Sequence, residues 1–244
     1  CHLQLADRDP EPLLQRAEDA GVGWVVSPGT DLDSSRRSLE LAARFPGRVL
    51  PTAGVHPHDA KRWAEERDGI AEMAATAAAV GETGLDFYRN LSRPDEQVAA
   101  FADQLRLAGE LDKPVIVHCR DAFSEVYRLL EEWGSAGRAV LHCWTGGPRW
   151  TRRFVDLGVS FSYAGPLCFP TGDTVRRGAA QAPPERTMVE TDTPYLSPPP
   201  HRDEPNEPAR VVLVGAALAE VWGVPAEEVA RLTTARAEQV FAVA

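Results

Sequence analysis

Apolar residues follow two alternating rhythms along this chain. Short continuous apolar runs bounded by glycine, proline or an acid read as buried strands, and longer stretches with apolar residues three and four apart read as helices. On this basis strands fall at residues 23–27, 48–55, 79–84, 114–120, 138–143, 159–163 and 187–192. Helices fall at 10–20, 31–45, 61–78 in pieces around Gly69, 94–111, 122–133, 150–157, 174–181, 209–222 and 226–243. A proline-rich loop separates Pro194 from Pro208. Strand–helix alternation implies parallel strands covered by helices. Seven strands are visible, and an eighth would end at Cys1-His2. The 244 residues suit a single domain of about 250 residues, the size of a (β/α)8 barrel. The predicted fold class is therefore α/β, a (β/α)8 TIM-type barrel over residues 1–244, with its first strand truncated at the start of the chain.

Four of these runs end in groups that bind metals. Ala79-Val80-Gly81 runs into Glu82, and Pro114-Val115-Ile116-Val117 into His118. Arg138-Ala139-Val140-Leu141 runs into His142, and Thr187-Met188-Val189 into Glu190 and Asp192. A carboxylate at the end of a buried strand must be paired or bound to a cation, because burying a lone charge is too costly. A single strand-end histidine is more often a hydrogen-bonded core residue than a ligand. Four such strand ends in one alternating chain reverse that balance. Strand residues alternate faces, so Cys119 and Cys143 point away from His118 and His142 and read as packing residues. By the same rule Glu190 and Asp192 share a face, with Asp192 at the mouth and Glu190 one layer below, supporting the ligands. Imidazole and carboxylate without thiolate suit two divalent metal ions, Mg, Mn, Zn or Ni, without selecting among them. Such ions acidify water and can hold both oxygens of a phosphoester displacement.

Composition narrows the classes. Hydrophobic residues make up 43% of the chain, enough for a core, and the net charge is −10. That excludes a general nucleic-acid-coating protein but not an enzyme whose bound cations face a phosphate. The four cysteines form no Cys-x-x-Cys pair, so neither a zinc ribbon nor a redox motif is indicated. Free thiols suit a cytoplasmic protein. No long apolar span or secretory signal is present, so no membrane partner is expected. No oligomeric state follows from the sequence, and a monomer is the working expectation.

Five blocks, read in order, resemble the signatures of the TatD-type metal-dependent deoxyribonucleases. They are Gly54-Val55-His56-Pro57-His58, residues 81–89 (Gly-Glu-Thr-Gly-Leu-Asp-Phe-Tyr-Arg), residues 117–122 (Val-His-Cys-Arg-Asp-Ala), His142-Cys143-Trp144-Thr145-Gly146, and residues 190–196 (Glu-Thr-Asp-Thr-Pro-Tyr-Leu). The resemblance implies an amidohydrolase-type barrel that cuts DNA phosphodiesters, often as a 3′–5′ exonuclease on single strands or 3′ ends. It implies Glu82 as the bridging ligand, His118 and His142 on one ion, and His2 and Asp192 on the other. Asp192 would also contact the attacking water, and His56 would face the substrate. His58 reads as structural, at the start of the next helix. Arg89 and Arg120 follow ligand-bearing strands and either grip phosphate or pair with Asp86 or Asp121. Phe87, Tyr88, Trp144 and Tyr195 could stack bases, although Tyr88 and Trp144 equally suit packing under loops.

The chain departs from that pattern twice. The family usually opens with His-x-His, and here only the second histidine, His2, is present. Its partner would stand one residue before Cys1, which is why the first strand is expected to be missing. The loop at 201–208 carries Asp203 and Glu204 where the family has glycine and a basic residue, leaving Arg202, Asn206, Glu207 and Pro208. Two other classes remain open. One is an amidohydrolase cutting an amide or ester. Many of those use a carbamylated lysine, and the lysines here are Lys61 and Lys113, the second placed before its strand. The other is a non-catalytic barrel that binds nucleic acid or a partner.

Overall fold

The computed structural model describes residues 1–5 and 8–243. They divide into two compact units, one made of Cys1–Val25 with Cys143–Ala244 and the other of Val26–His142. The first unit opens with a 3-10 turn, Leu3–Leu5, and helix α1, Pro10–Asp19. Asp9 caps α1 by accepting the Glu11 N–H, and proline occupies the first turn, where its missing N–H costs nothing. Cys1 and His2 belong to no strand. The His2 N–H donates to the Thr193 carbonyl at 2.6 Å.

The second unit carries β1 (Val25–Ser27, begun one residue earlier), α2 (Leu32–Arg44), β2 (Val49–Ala53), a 3-10 helix (Pro57–Arg62), α3 (Trp63–Thr76), β3 (Ala79–Asp86), α4 (Pro94–Glu110), β4 (Val115–Arg120), α5 (Phe123–Trp133) and β5 (Ala139–Leu141). Its strands lie in the order β1-β2-β3-β4-β5. The ladders are parallel, with Thr52 opposite Ala79, Gly84 opposite His118 and Val117 opposite Leu141. Every residue of β3 is buried, as in a parallel sheet covered on both faces. The chain returns to the first unit with α6 (Pro148–Leu157), β6 (Ser160–Tyr163), α7 (Asp173–Ala179), β7 (Thr187–Val189), α8 (Val211–Trp222) and α9 (Ala226–Phe241). Here β6 and β7 pair in parallel, Phe161 opposite Thr187 and Tyr163 opposite Val189. Among the described residues no single helix is long and apolar enough to cross a membrane.

Two expectations about glycine fail for one reason. Gly84 does not end β3, which runs on to Asp86. Its φ is +130°, and a Cβ there would collide with the His118 carbonyl. Glycine is thus the residue that lets β3 and β4 approach at this level. Gly69 does not divide α3 either. A Cβ at that position would stand 2.6 Å from Leu32 Cδ1, so glycine there lets α3 lie close on α2. In both places a packing constraint imitates a chain break. The strands expected at 138–143 and 187–192 are also shorter than predicted, ending at Leu141 and Val189. The ligand-type residues beyond them lie on irregular backbone, where strict alternation no longer applies.

Helix α4 shows how the second unit fixes its strand ends. Its buried face includes Ala100, Phe101, Leu105 and Ala108, and also two glutamines, Gln97 and Gln104, both fully buried. Gln104 Oε1 accepts the Val55 N–H at 2.8 Å, and its Nε2 donates to the Val55 carbonyl at 3.0 Å. Gln97 does the same for β3: its Oε1 accepts the Asp86 N–H at 2.8 Å, and its Nε2 donates to the carbonyls of Asp86 and Ser92. The amide side chains satisfy backbone groups that the sheet leaves unpaired. Gln104→Leu keeps the volume and strands both polar groups of Val55. It should lower stability by about 2–4 kcal/mol, read as a shift in the urea midpoint. Arg128→Ala, which removes exposed pairs with Glu125 and Glu132, should leave that midpoint nearly unchanged.

Candidate active site

The β-strand ends of the second unit converge on one oxygen. Glu82 is 2% exposed, and its Oε1 lies 2.7 Å from His142 Nε2, 3.1 Å from His118 Nδ1 and 3.2 Å from His56 Nε2. Glu82 sits where the β3–β4 register shifts, between Val80 and Thr83, a bulge that re-aims a side chain. Burial opposes its ionisation, but the neighbouring imidazoles of His142 and His56 and the hydrogen bonds of His118 and His142 outweigh it, and the carboxyl is held well below its usual range. Three ring nitrogens crowd one oxygen that offers two lone pairs. A carboxylate and imidazoles meeting in a buried place are the donor set of a divalent cation, and ligand atoms of His56, Glu82 and His118 all lie within 4.8 Å of one another.

Hydrogen bonding separates the roles of these histidines. His56 Nδ1 accepts the His58 N–H at 3.1 Å. In the neutral ring the proton then resides on Nε2, the nitrogen that faces Glu82. Burial pushes the His56 pKa down to about 4, so the ring is neutral at pH 7. His56 is therefore built as an N–H donor rather than a ligand. His118 has the opposite wiring. Its Nε2 stands 3.3 Å from Asp86 Oδ2, within ion-pair reach but off the hydrogen-bond line. Its Nδ1 faces Glu82. Burial disfavours protonation of this ring, but Asp86 and Glu82 outweigh it and raise the pKa. A carboxylate behind an imidazole whose other nitrogen faces the donor cluster is the usual support of a metal-binding histidine.

Asp86 was expected only as a partner for Arg89. It is fully buried. Its Oδ1 accepts the N–H groups of Tyr88 at 3.0 Å and Arg89 at 2.8 Å, and its Oδ2 lies 2.8 Å from His58 Nε2. Burial works against its charge, but the close His118 ring, the Arg89 N–H and the His58 ring hold the carboxyl far below the usual aspartate value. His58 is structural in this sense: it braces Asp86. The signal was present in the sequence, since Asp86 follows Glu82 by an even offset of four positions along the strand. Ending the strand at Gly84 concealed it. The side chains of Arg89 and Arg120 have no carboxylate within ion-pair reach among the described residues, so the alternative pairing with Asp86 or Asp121 is not what the fold adopts. Arg120 instead lies over the Tyr88 ring, 4.0 Å from its centroid.

In the first unit, His2 Nε2 lies 3.3 Å from Asp192 Oδ1. The strand-face relation expected between Glu190 and Asp192 does not hold. β7 ends at Val189, and Asp192 has φ +58°, so the two carboxylates are set by a turn. Glu190 accepts the Cys143 N–H through its Oε1, which ties down the segment after His142. Cys143 is itself at φ +43°. Arg202 donates to the Ser197 carbonyl at 2.9 Å and lies 3.8 Å over Phe169. Asn206 Nδ2 donates to the carbonyls of Thr191 and Tyr195, and Glu207 pairs with Arg16. These loop residues brace the turn that carries Asp192. Trp144 is fully buried and packs against Phe154 and Phe161, so its packing reading holds. Lys113 donates to the Ala77 carbonyl at 2.6 Å, at the ends of β3 and β4 opposite to Glu82 and His118, so it is no bridge between ions there.

Comparison with known proteins follows the same lines. The family described as TatD related DNase matches residues 1–242. The chain is 38% identical to the 3′-5′ ssDNA/RNA exonuclease TatD of Pectobacterium parmentieri, over 98% of this chain and 95% of that protein. It is 38% identical to the protein of the same name from Shigella flexneri, over 97% and 94%. Among solved structures it resembles YJJV, a TatD homolog from Escherichia coli K12, with a TM-score of 0.90 and 28% identity, covering 100% of this chain and 96% of that one. The expected fold class, α/β of the TIM-barrel type, is upheld by this likeness.

The Asp86 network has a defined pH signature. A carboxyl with a depressed folded pKa contributes stability that is complete above the unfolded value, 3.8, and is lost as pH falls below it. Asp86→Asn should cost about 3 kcal/mol at pH 7 in the presence of a chelator. The gap to the parent protein should narrow below about pH 4. Urea midpoints at pH 7 and pH 3.5 test this, and a gap of constant size would mean that the Asp86 charge is not what the network holds.

Proposed function

We propose that this chain, which belongs to the TatD related DNase family, hydrolyses phosphodiester bonds of single-stranded DNA or RNA and removes nucleotides from the 3′ end. The observation that carries this reading is the convergence of His142, His118 and His56 on Glu82 Oε1. Glu82, His118 and His142 would hold one divalent ion, and His2 with Asp192 would contribute to holding a second. Bound there, divalent ions supply Lewis acidity toward a phosphoryl oxygen and make water a stronger acid.

The chain's own residues supply the rest. Asp86 fixes the His118 ring so that Nδ1 faces Glu82. Neutral His56 presents an N–H at Nε2 and can donate it to a phosphate oxygen as charge builds there. Asp192 accepts a proton from the attacking water. The water oxygen bonds to phosphorus, the bond from phosphorus to the O3′ of the preceding nucleotide breaks, and that oxygen leaves as a hydroxyl after taking a proton. The products are a 5′-mononucleotide and a strand shortened by one. Arg89 and Arg120, with no carboxylate partner among the described residues, offer paired N–H groups to the phosphates that follow.

This assignment favours a phosphodiester over an amide because Glu82 stands in the bridging place that a carbamylated lysine takes in many amidohydrolases, and Lys113 lies at the other end of β3 and β4. Short single strands of DNA and of RNA, labelled at either end, test the reading with Mg, Mn, Zn and Ni supplied in turn. Mononucleotides should appear from the 3′ end with at least one ion and disappear with chelator. Release indifferent to chelation would overturn it. His142→Ala should retain its circular dichroism, lose bound metal by elemental analysis and fall in rate by at least about 10–100-fold. A folded variant with unchanged metal and rate would remove His142 from the site.

A further inference from the structure

Tyr88 is an exposed aromatic with an unusual anchorage. It is 62% exposed, and Leu91, three residues further along the same loop, is 56% exposed. An exposed tyrosine on a loose loop would mean little, but this one is held from three sides. Its N–H is bound by Asp86 Oδ1. The Phe87 N–H donates to the Arg120 carbonyl at 2.9 Å, and Asp86 is the register partner of Arg120 across β3 and β4. The Arg120 guanidinium then covers one face of the ring at 4.0 Å from its centroid, a cation–π contact. With one face covered and the residue mostly exposed, the other face is open to solvent. Asp86, whose Oδ1 anchors Tyr88, turns Oδ2 toward His58 and His118. The ring thus stands one carboxylate away from the Glu82 cluster.

The geometry points to a nucleobase-binding shelf formed by Tyr88, backed by Arg120 and edged by Leu91. This inference rests on the hydrolase reading and adds a substrate contact to it. A flat base unpaired from its complement would stack on the open face of Tyr88. Stacking is available to every base and does not read sequence. A base inside a duplex has both faces covered by its neighbours, so the shelf selects for single-stranded ends. Arg120 backs the ring with a positive charge, which a phosphate of the same nucleotide would also meet.

The test compares Tyr88→Ala, Tyr88→Phe and the parent protein on single-stranded ten-nucleotide DNA, and on the same strand with one abasic nucleotide moved through its 3′ end. Expected for Tyr88→Ala is a KM raised about 5- to 100-fold, the range of one base–aromatic stack, with kcat changed by less than about 3-fold and metal content unchanged. Tyr88→Phe, which keeps the ring face, should behave as the parent. An abasic nucleotide at the shelf position should cost the parent the same factor and cost Tyr88→Ala nothing more. Unchanged KM in Tyr88→Ala, or an equal penalty with and without the base, overturns the shelf and leaves the hydrolase reading standing. If the parent releases no nucleotide with any ion, the hydrolase reading fails, and fluorescence anisotropy of the labelled strand decides the shelf alone. Weaker binding to Tyr88→Ala than to Tyr88→Phe supports it, and equal binding overturns it.

Discussion

Burying the Glu82 carboxylate is the constraint on which the second unit is built. A lone charge at this depth would shift toward its neutral form or unfold its surroundings. Instead, strands β3 and β4 are brought together by glycine at Gly81 and Gly84, where a Cβ would strike the carbonyls of Ile116 and His118. That approach places His118 and His142 on Glu82. The cost of gathering three imidazoles around one acid is then met one layer out, where Asp86 takes His118 and His58, and Gln97 takes the Asp86 backbone. Each layer is buried and directional, so none can be altered without leaving a polar group of the next unsatisfied.

The overall charge of −10 at first argues against a polyanionic substrate. The relevant distance is shorter than the molecule, however. At physiological ionic strength charges are screened beyond about 8 Å, so a phosphate meets the local charges rather than the total. On the strands and loops that carry Glu82 and His118 those include Arg89 and Arg120, with no carboxylate in ion-pair reach among the described residues, whereas surface arginines such as Arg128, Arg177 and Arg231 are neutralised by acids one turn away. The difference between paired and unpaired arginines is a sharper guide to substrate contact than net charge.

Much of this was legible in the sequence, and the failures share a cause. Apolar runs located all seven strands of the described residues, because a parallel strand buried on both faces leaves a continuous hydrophobic signature. The strand-end positions also identified Glu82, His118 and His142 as a converging set. What the sequence concealed was the backbone between regular elements. Gly84 reads as a terminator because glycine usually is one, yet here it allows two strands to touch, and the misreading hid Asp86. Glu190 and Asp192 look like a strand pair until the left-handed backbone at Asp192 is seen. Gln97 and Gln104 drew no reading at all, because nothing in a single helix shows that a neighbouring strand end lacks hydrogen-bond partners.

His118 and Asp86 give the arrangement its coupling. One ring nitrogen of His118 faces the Glu82 oxygen and the other faces Asp86, while Asp86 uses its second oxygen on the backbone of Tyr88 and Arg89. Any displacement of Asp86 therefore moves a ligand-type imidazole and the loop bearing Tyr88 and Arg89 together. Loop residues that contact substrate are usually the mobile part of a barrel-type enzyme. Here the first residues after β3 are pinned by a carboxylate that also orients the chemistry, so substrate contact and donor geometry share one support. That economy explains why a buried acid, with its desolvation cost, stands where a neutral residue could have ended the strand: only an ionised carboxylate binds the His58 ring and attracts the His118 ring with one oxygen while accepting two backbone N–H groups with the other.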